Sequence, residues 1–205
     1  MGNREARESR QQRAAEFRRE QERRGRRRRF AWISGIVVAA LVVAGGITWA
    51  AIAGSAGPSP LAAVKTFSVA TRNHTTDAVR YAQNPPVGGD HSPAWLNCGV
   101  YDAPVPVGNA VHDLEHGAVW ITYRPGLQTA QVDELRKLAA SQPYLTVSPY
   151  KGLPTAVVAS AWGVQLRLKD ASDARLAEFV GKYAQGPQTP EPGAPCSGGV
   201  GNPTG

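Results

Sequence analysis

Sulfur is scarce in this sequence: 205 residues contain two cysteines, Cys98 and Cys196, and one methionine, Met1. There is accordingly no Cys-x-x-Cys pair and no Met-rich copper motif. No proline precedes Pro58, and no charged side chain occurs between Arg29 and Lys65. A P-loop, a dinucleotide fingerprint and a Ser-centred nucleophile elbow are also missing, which removes the best-marked nucleotide-binding and serine-hydrolase classes. No internal repeat is evident.

The charge that is present is unevenly placed. Residues 1–29 hold twelve arginines against five glutamates, which accounts for the whole net charge of +7; the rest of the chain carries eleven basic and eleven acidic residues. A basic chain ordinarily suggests a nucleic-acid or acidic-surface partner, but here the excess adjoins the uncharged run Phe30 to Ala53, FAWISGIVVAALVVAGGITWAAIA. At about 1.5 Å per residue this run reaches roughly 36 Å, enough to cross a hydrocarbon core of about 30 Å with some tilt. Trp32 and Trp49 lie near its two ends, where indoles favour the interface. The expectation is a single transmembrane helix at 30–53 that uses the bilayer as its partner. The arginine tail would be cytoplasmic and rest near anionic lipid headgroups, and no nucleic acid is expected.

A cleaved signal peptide is the competing reading, since Ala51-Ile52-Ala53 fits a small-x-small cleavage site. The apolar run is longer than the roughly 7–15 residues of a signal core. Either way the C-terminal part is exported to an oxidising compartment, where Cys98 and Cys196 are expected to form a disulfide.

Residues 54–60, GSAGPSP, read as a linker. The exported domain is expected at 61–185, followed by an irregular tail at 186–205 that the disulfide would tie down. Within the domain, Ala118 to Tyr123 reads as a strand and Thr129 to about Gln142 as a helix capped by Thr129. Tyr144 to Ser148 and Thr155 to Ala161 read as strands, and about Ala171 to Ala184 as a helix capped by Asp170. This order predicts an α+β domain, a small sheet with two helices on one face.

All four histidines, His74, His91, His112 and His116, fall within 43 residues, and two belong to His112-Asp113-Leu114-Glu115-His116. On a helix, i and i+4 share a face, so His112 and His116 could hold one metal ion together, with His91 as a third imidazole. Zinc or copper are the cofactors this donor type suits. The same five residues match the His-x-x-Glu-His pattern of inverted zinc peptidases, in which Glu115 would be the general base. That alternative, a small zinc hydrolase, needs an acidic third ligand, for which Glu178 and Glu191 are the candidates. Purely structural histidines are a further alternative, with Asp113 or Glu115 capping a short helix. Cys98 as a nucleophile with a histidine base, or as a copper ligand, would require it to be free of the disulfide.

Taken together, His91-Ser92-Pro93, Trp95-Leu96-Asn97-Cys98-Gly99-Val100-Tyr101, Pro104-Val105-Pro106 and AVHDLEHGAVWITY from Ala110 to Tyr123 resemble the actinobacterial branch of the "domain of unknown function 3105" (DUF3105) family. Ser148-Pro149-Tyr150, Ala159 to Gly163 and Pro190 to Cys196 extend the resemblance over nearly the whole exported domain. It implies a small membrane-anchored protein with an exported domain and no established activity. The motif positions it marks are His91, Cys98, Gly99, Tyr101, His112, Glu115, His116 and Gly117. A non-catalytic domain binding zinc or copper through His91, His112 and His116 is the leading expectation. A zinc hydrolase is one alternative; the other is a cell-envelope interaction module presenting Asn84 to Val87 and Ala103 to Pro106 as extended edges.

Overall fold

Short runs of β-branched and aromatic residues, closed by Gly and Pro, build a six-stranded mixed sheet, and apolar residues at helical spacing supply the helices that cover it. The computed structural model describes residues 60–204. A short 3₁₀ turn (Pro60–Ala63) leads into β1 (Lys65–Thr66), β2 (Gly99–Val100), α1 (Val107–Glu115), β3 (Val119–Tyr123), α2 (Thr129–Ala140), β4 (Leu145–Pro149), β5 (Val157–Ala161), β6 (Val164–Leu168) and α3 (Ala174–Tyr183). The expected transmembrane helix at 30–53 and the basic tail at 1–29 lie outside the described residues. No helix among the described residues is long and apolar enough to cross a membrane.

The strand order is β1-β6-β5-β3-β4-β2. β3 runs parallel to β4, with Ile121 opposite Val147, and antiparallel to β5, with Ile121 opposite Ala159. Parallel neighbours need a crossover, and α2 provides it. Side chains alternate across the pleat. Val119, Ile121 and Tyr123 accordingly enter a core with Leu135 of α2 and Leu176, Phe179 and Val180 of α3. Trp120 points the other way, into a smaller core with Ala110, Val111 and Leu114 of α1 and with Leu96 and Trp162.

Two helices on one face is therefore the arrangement of α2 and α3, and α1 adds a third helix on the opposite face. Strand β6 completes a hairpin that the sequence reading leaves out. Its V-Q-L-R-L alternation exposes only Arg167, and Gly163, at φ +70°, makes the preceding turn. Both helix caps also differ from expectation. Gln128 precedes α2, and Asp173, which accepts a hydrogen bond from Arg175 N, caps α3. Asp170 instead closes a local turn onto Ser172 N, so the helix cap lies three residues beyond it, at Asp173.

Between β1 and β2 the chain runs irregularly from Phe67 to Cys98, pinned by an isolated bridge between His74 and His91. Long irregular connections in compact domains are uncommon unless they carry function. Asn84 to Val87 is not a free edge: Pro85 to Gly88 are buried, Pro85 O accepts from Gln165 Nε2, and Val87 O accepts from Gly163 N. Cys98 and Cys196 form the expected disulfide. From Gly186 to Thr204 there is neither helix nor strand, and one isolated bridge joins Val200 to Leu96.

Candidate metal centre

Helix α1 brings the His-x-x-Glu-His residues to the smaller core. Val111 and Leu114 face Trp120, so the neighbouring helical positions 112, 115 and 116 turn toward the irregular segment Phe67 to Cys98. The helix stops at Gly117, whose φ of +92° suits glycine. A Cβ there would lie 2.5 Å from Gln185 Nε2 and 2.8 Å from Thr189 Cγ2. Gly117→Ala is expected to cost roughly 1–3 kcal/mol from the backbone conformation alone, before any contact with Gln185 and Thr189 is relieved. Equilibrium denaturation checks this, and an unchanged midpoint would show that the chain end moves aside freely.

Each buried imidazole is held through one nitrogen. Nδ1 lies 2.7 Å from a backbone carbonyl oxygen in all three: His91 at Gly89 O, His112 at Ser92 O and His116 at Pro195 O. A carbonyl only accepts, so Nδ1 carries the proton and donates, and Nε2 is left to present its lone pair inward. Ligand histidines are oriented in this same way in metal proteins.

The inward atoms meet closely. His91 Nε2 lies 3.0 Å from Glu115 Oε2, His74 Nε2 lies 3.5 Å from that oxygen, and His112 Nε2 lies 2.9 Å from His116 Nε2. One ligand atom from each of His74, His91, His112 and Glu115 fits within a 4.8 Å span. His116 stands outside this four-donor group, behind His112. His74 stacks on His112 at 4.7 Å and 18°, and Trp95 packs against both His112 and His116. His91 is fully buried, and Glu115, His112 and His116 are 2 %, 3 % and 4 % exposed.

Burial, the largest influence on it, holds His112 below the usual imidazole pKa, and the neighbouring histidines push in the same direction against the Ser92 carbonyl. Its lone pair is thus available at neutral pH. Asp113 turns away from this group. Its carboxylate accepts from Leu96 N and Thr146 Oγ1, and burial raises its pKa to about 8. It braces α1 against β4.

Three imidazole nitrogens and one carboxylate oxygen suit a zinc ion. Ligand atoms at about 2.0–2.1 Å on a tetrahedral centre sit roughly 3.3–3.4 Å apart, and the 3.0 Å and 3.5 Å separations at Glu115 bracket that edge. Of the acidic candidates for a hydrolase, Glu178 is exposed on α3, whereas Glu191 Oε2 lies 3.9 Å from His116 Nε2. Glu115 has Oε2 against His91 and Oε1 3.5 Å from Arg72, so it sits among the donors and not over an open cleft. The disulfide occupies Cys98, which removes the nucleophile and the copper–thiolate ideas.

Sequence reasoning passes over His74 and Arg72 as site residues. The crowding of all four histidines is the available signal for His74; nothing in the sequence marks Arg72. A separate cavity of about 440 Å³ is lined by residues that include Tyr123, Arg136 and Lys151, and it holds none of the histidines.

A family model described as "Protein of unknown function (DUF3105)" matches residues 73–198, which takes in every histidine and both cysteines. No curated protein and no solved structure matches the chain.

Proposed function

The chain belongs to the DUF3105 family, whose description carries no activity, and we propose from the geometry that its domain binds one divalent transition-metal ion through His74, His91, His112 and Glu115. One observation carries this reading: two pairs of lone-pair atoms face each other at hydrogen-bond distance inside a buried site, His112 Nε2 to His116 Nε2 and His91 Nε2 to Glu115 Oε2. With Nδ1 protonated in all three histidines, each contact is repulsive unless a positive centre sits at it. Two extra protons would satisfy both contacts, whereas a dication at the four donors satisfies the one between His91 and Glu115 and takes up the lone pair of His112 from the other.

A nitrogen-rich donor set with one carboxylate favours zinc or copper(II) over calcium or magnesium, which prefer oxygen cages. We further propose that the protein is of the membrane-anchored, actinobacterial branch. Residues 30–53 would span the bilayer and the arginine tail would stay cytoplasmic, with the metal domain outside the cell membrane. The uncharged apolar run and the adjoining arginines support this orientation.

Native mass spectrometry of the full chain, purified in detergent and incubated with zinc, tests the metal reading. One zinc per chain is expected in the wild type and none in His91→Gln or His112→Gln. Near-UV circular dichroism controls for folding. A wild type that stays metal-free in excess zinc leaves the histidines a structural role and overturns the proposal.

A further inference from the structure

Resting on that metal reading, we propose that the bound ion and Arg72 together form a receptor for a small oxyanion, a carboxylate or a phosphate, on the solvent-facing side of the cluster. Burial identifies that side. His91, His112 and Glu115 are almost inaccessible, whereas the side chains of His74 and Arg72 are 48 % and 55 % exposed. Of the residues around the Glu115 carboxylate, these two are the ones open to solvent.

Charge determines what would arrive. Three neutral imidazoles and one carboxylate leave a dication with one net positive charge, and the Arg72 guanidinium adds a second. The guanidinium pairs with Glu115, whose Oε1 lies 3.5 Å from Arg72 Nη1. The pairing is long and half-exposed, so it is weak. An ion held by the imidazole Nε2 atoms competes for the same carboxylate and leaves guanidinium donors unmatched. Of the other carboxylates near the histidines, Glu191 lies beside His116, and Asp90, which accepts from Asn73 N and Nδ2 next to His91, offsets part of this positive charge.

Coordination leaves room for the guest. Four protein ligands fill a tetrahedral zinc, which would take the guest by expanding to five-coordination, and copper(II) takes further ligands along its tetragonal axis. One oxygen of a carboxylate or phosphate would ligate the ion, and the remaining oxygens match the planar donor fork of Arg72. A lysine in that place would supply charge without the fork.

Cobalt(II), whose visible absorption follows its coordination, provides the readout. The full chain is loaded with cobalt and titrated with acetate in one arm and phosphate in the other, at constant ionic strength set with chloride. At least one anion is expected to shift the spectrum saturably, and the arm with the lower half-saturation identifies the class. Half-saturation should rise about tenfold or more in Arg72→Ala and fall in between for Arg72→Lys. A cobalt-loaded wild type whose spectrum ignores both anions, or an Arg72→Ala variant that responds like wild type, overturns this inference alone. A chain that takes up no cobalt overturns the metal reading and the inference with it.

Discussion

Zinc at about a thousand times its dissociation constant is expected to raise the thermal midpoint of the domain by on the order of 10 °C. An ion that binds the folded chain and not the unfolded one stabilises it by about 4 kcal/mol at that excess. For a domain of this size each kcal/mol moves the midpoint by roughly 2–4 °C. His74→Ala isolates the effect. His74 is half-exposed and touches the cluster from outside, so its removal should leave the zinc-free midpoint within about 2 °C of wild type, as for most surface changes. The zinc-induced rise should shrink to less than half. Differential scanning calorimetry with zinc and with a chelator measures both. An equal rise in wild type and His74→Ala would remove His74 from the donor set, and no rise in wild type would count against the metal reading itself.

Removal of the Cys98–Cys196 disulfide is expected to be the costliest covalent change. The loop it closes spans 98 residues of sequence, for which loop entropy allows up to about 4.7 kcal/mol, within a usual range of about 2–5. The double variant Cys98→Ser/Cys196→Ser avoids a stray thiol. Its loss should be concentrated in the C-terminal segment, whose backbone reaches the body through Glu191 N to Glu115 O, Val200 N to Trp95 O and Asn97 N to Val200 O. Hydrogen exchange at Asn97, Glu191 and Val200 should quicken before that of β3. Uniform quickening would mean that the bridge stabilises the entire domain as one unit, and an unfolding free energy within about 1 kcal/mol of wild type would show that these hydrogen bonds suffice.

How far the sequence foretells this molecule depends on the kind of signal. β3, α2, β4, β5 and α3 are legible because their apolar residues repeat at two or at 3.6 residues and Pro or Gly brackets them. β6 escapes notice although V-Q-L-R-L alternates, because only five residues follow the Trp162-Gly163 turn. β1 and β2 have two residues each, too few for any period. The metal-ligand candidates His91 and His112 are legible from residue type and crowding. The rest of the donor set depends on how Phe67 to Cys98 folds back, and that segment has no periodicity. Its path is set by particular hydrogen bonds, such as Thr75 N to His91 O and His91 N to Asn73 O, which place His74 over Glu115. Glu115 reads as a possible base from its motif, whereas its surroundings place it in the cluster that could hold a metal ion.

The margins of the sheet limit how this domain can meet other chains. Its outermost strands, β1 and β2, expose no ladder longer than two residues, and beside β2 the chain's own Thr204 already donates to Val100 O. A foreign peptide seeking to extend the sheet would find two-residue ladders at its margins and, past the end of β1, the outer edge of β6 from Leu166 to Leu168, where the exposed Arg167 places a charge. Strand addition by neighbouring copies is thereby confined to that short edge.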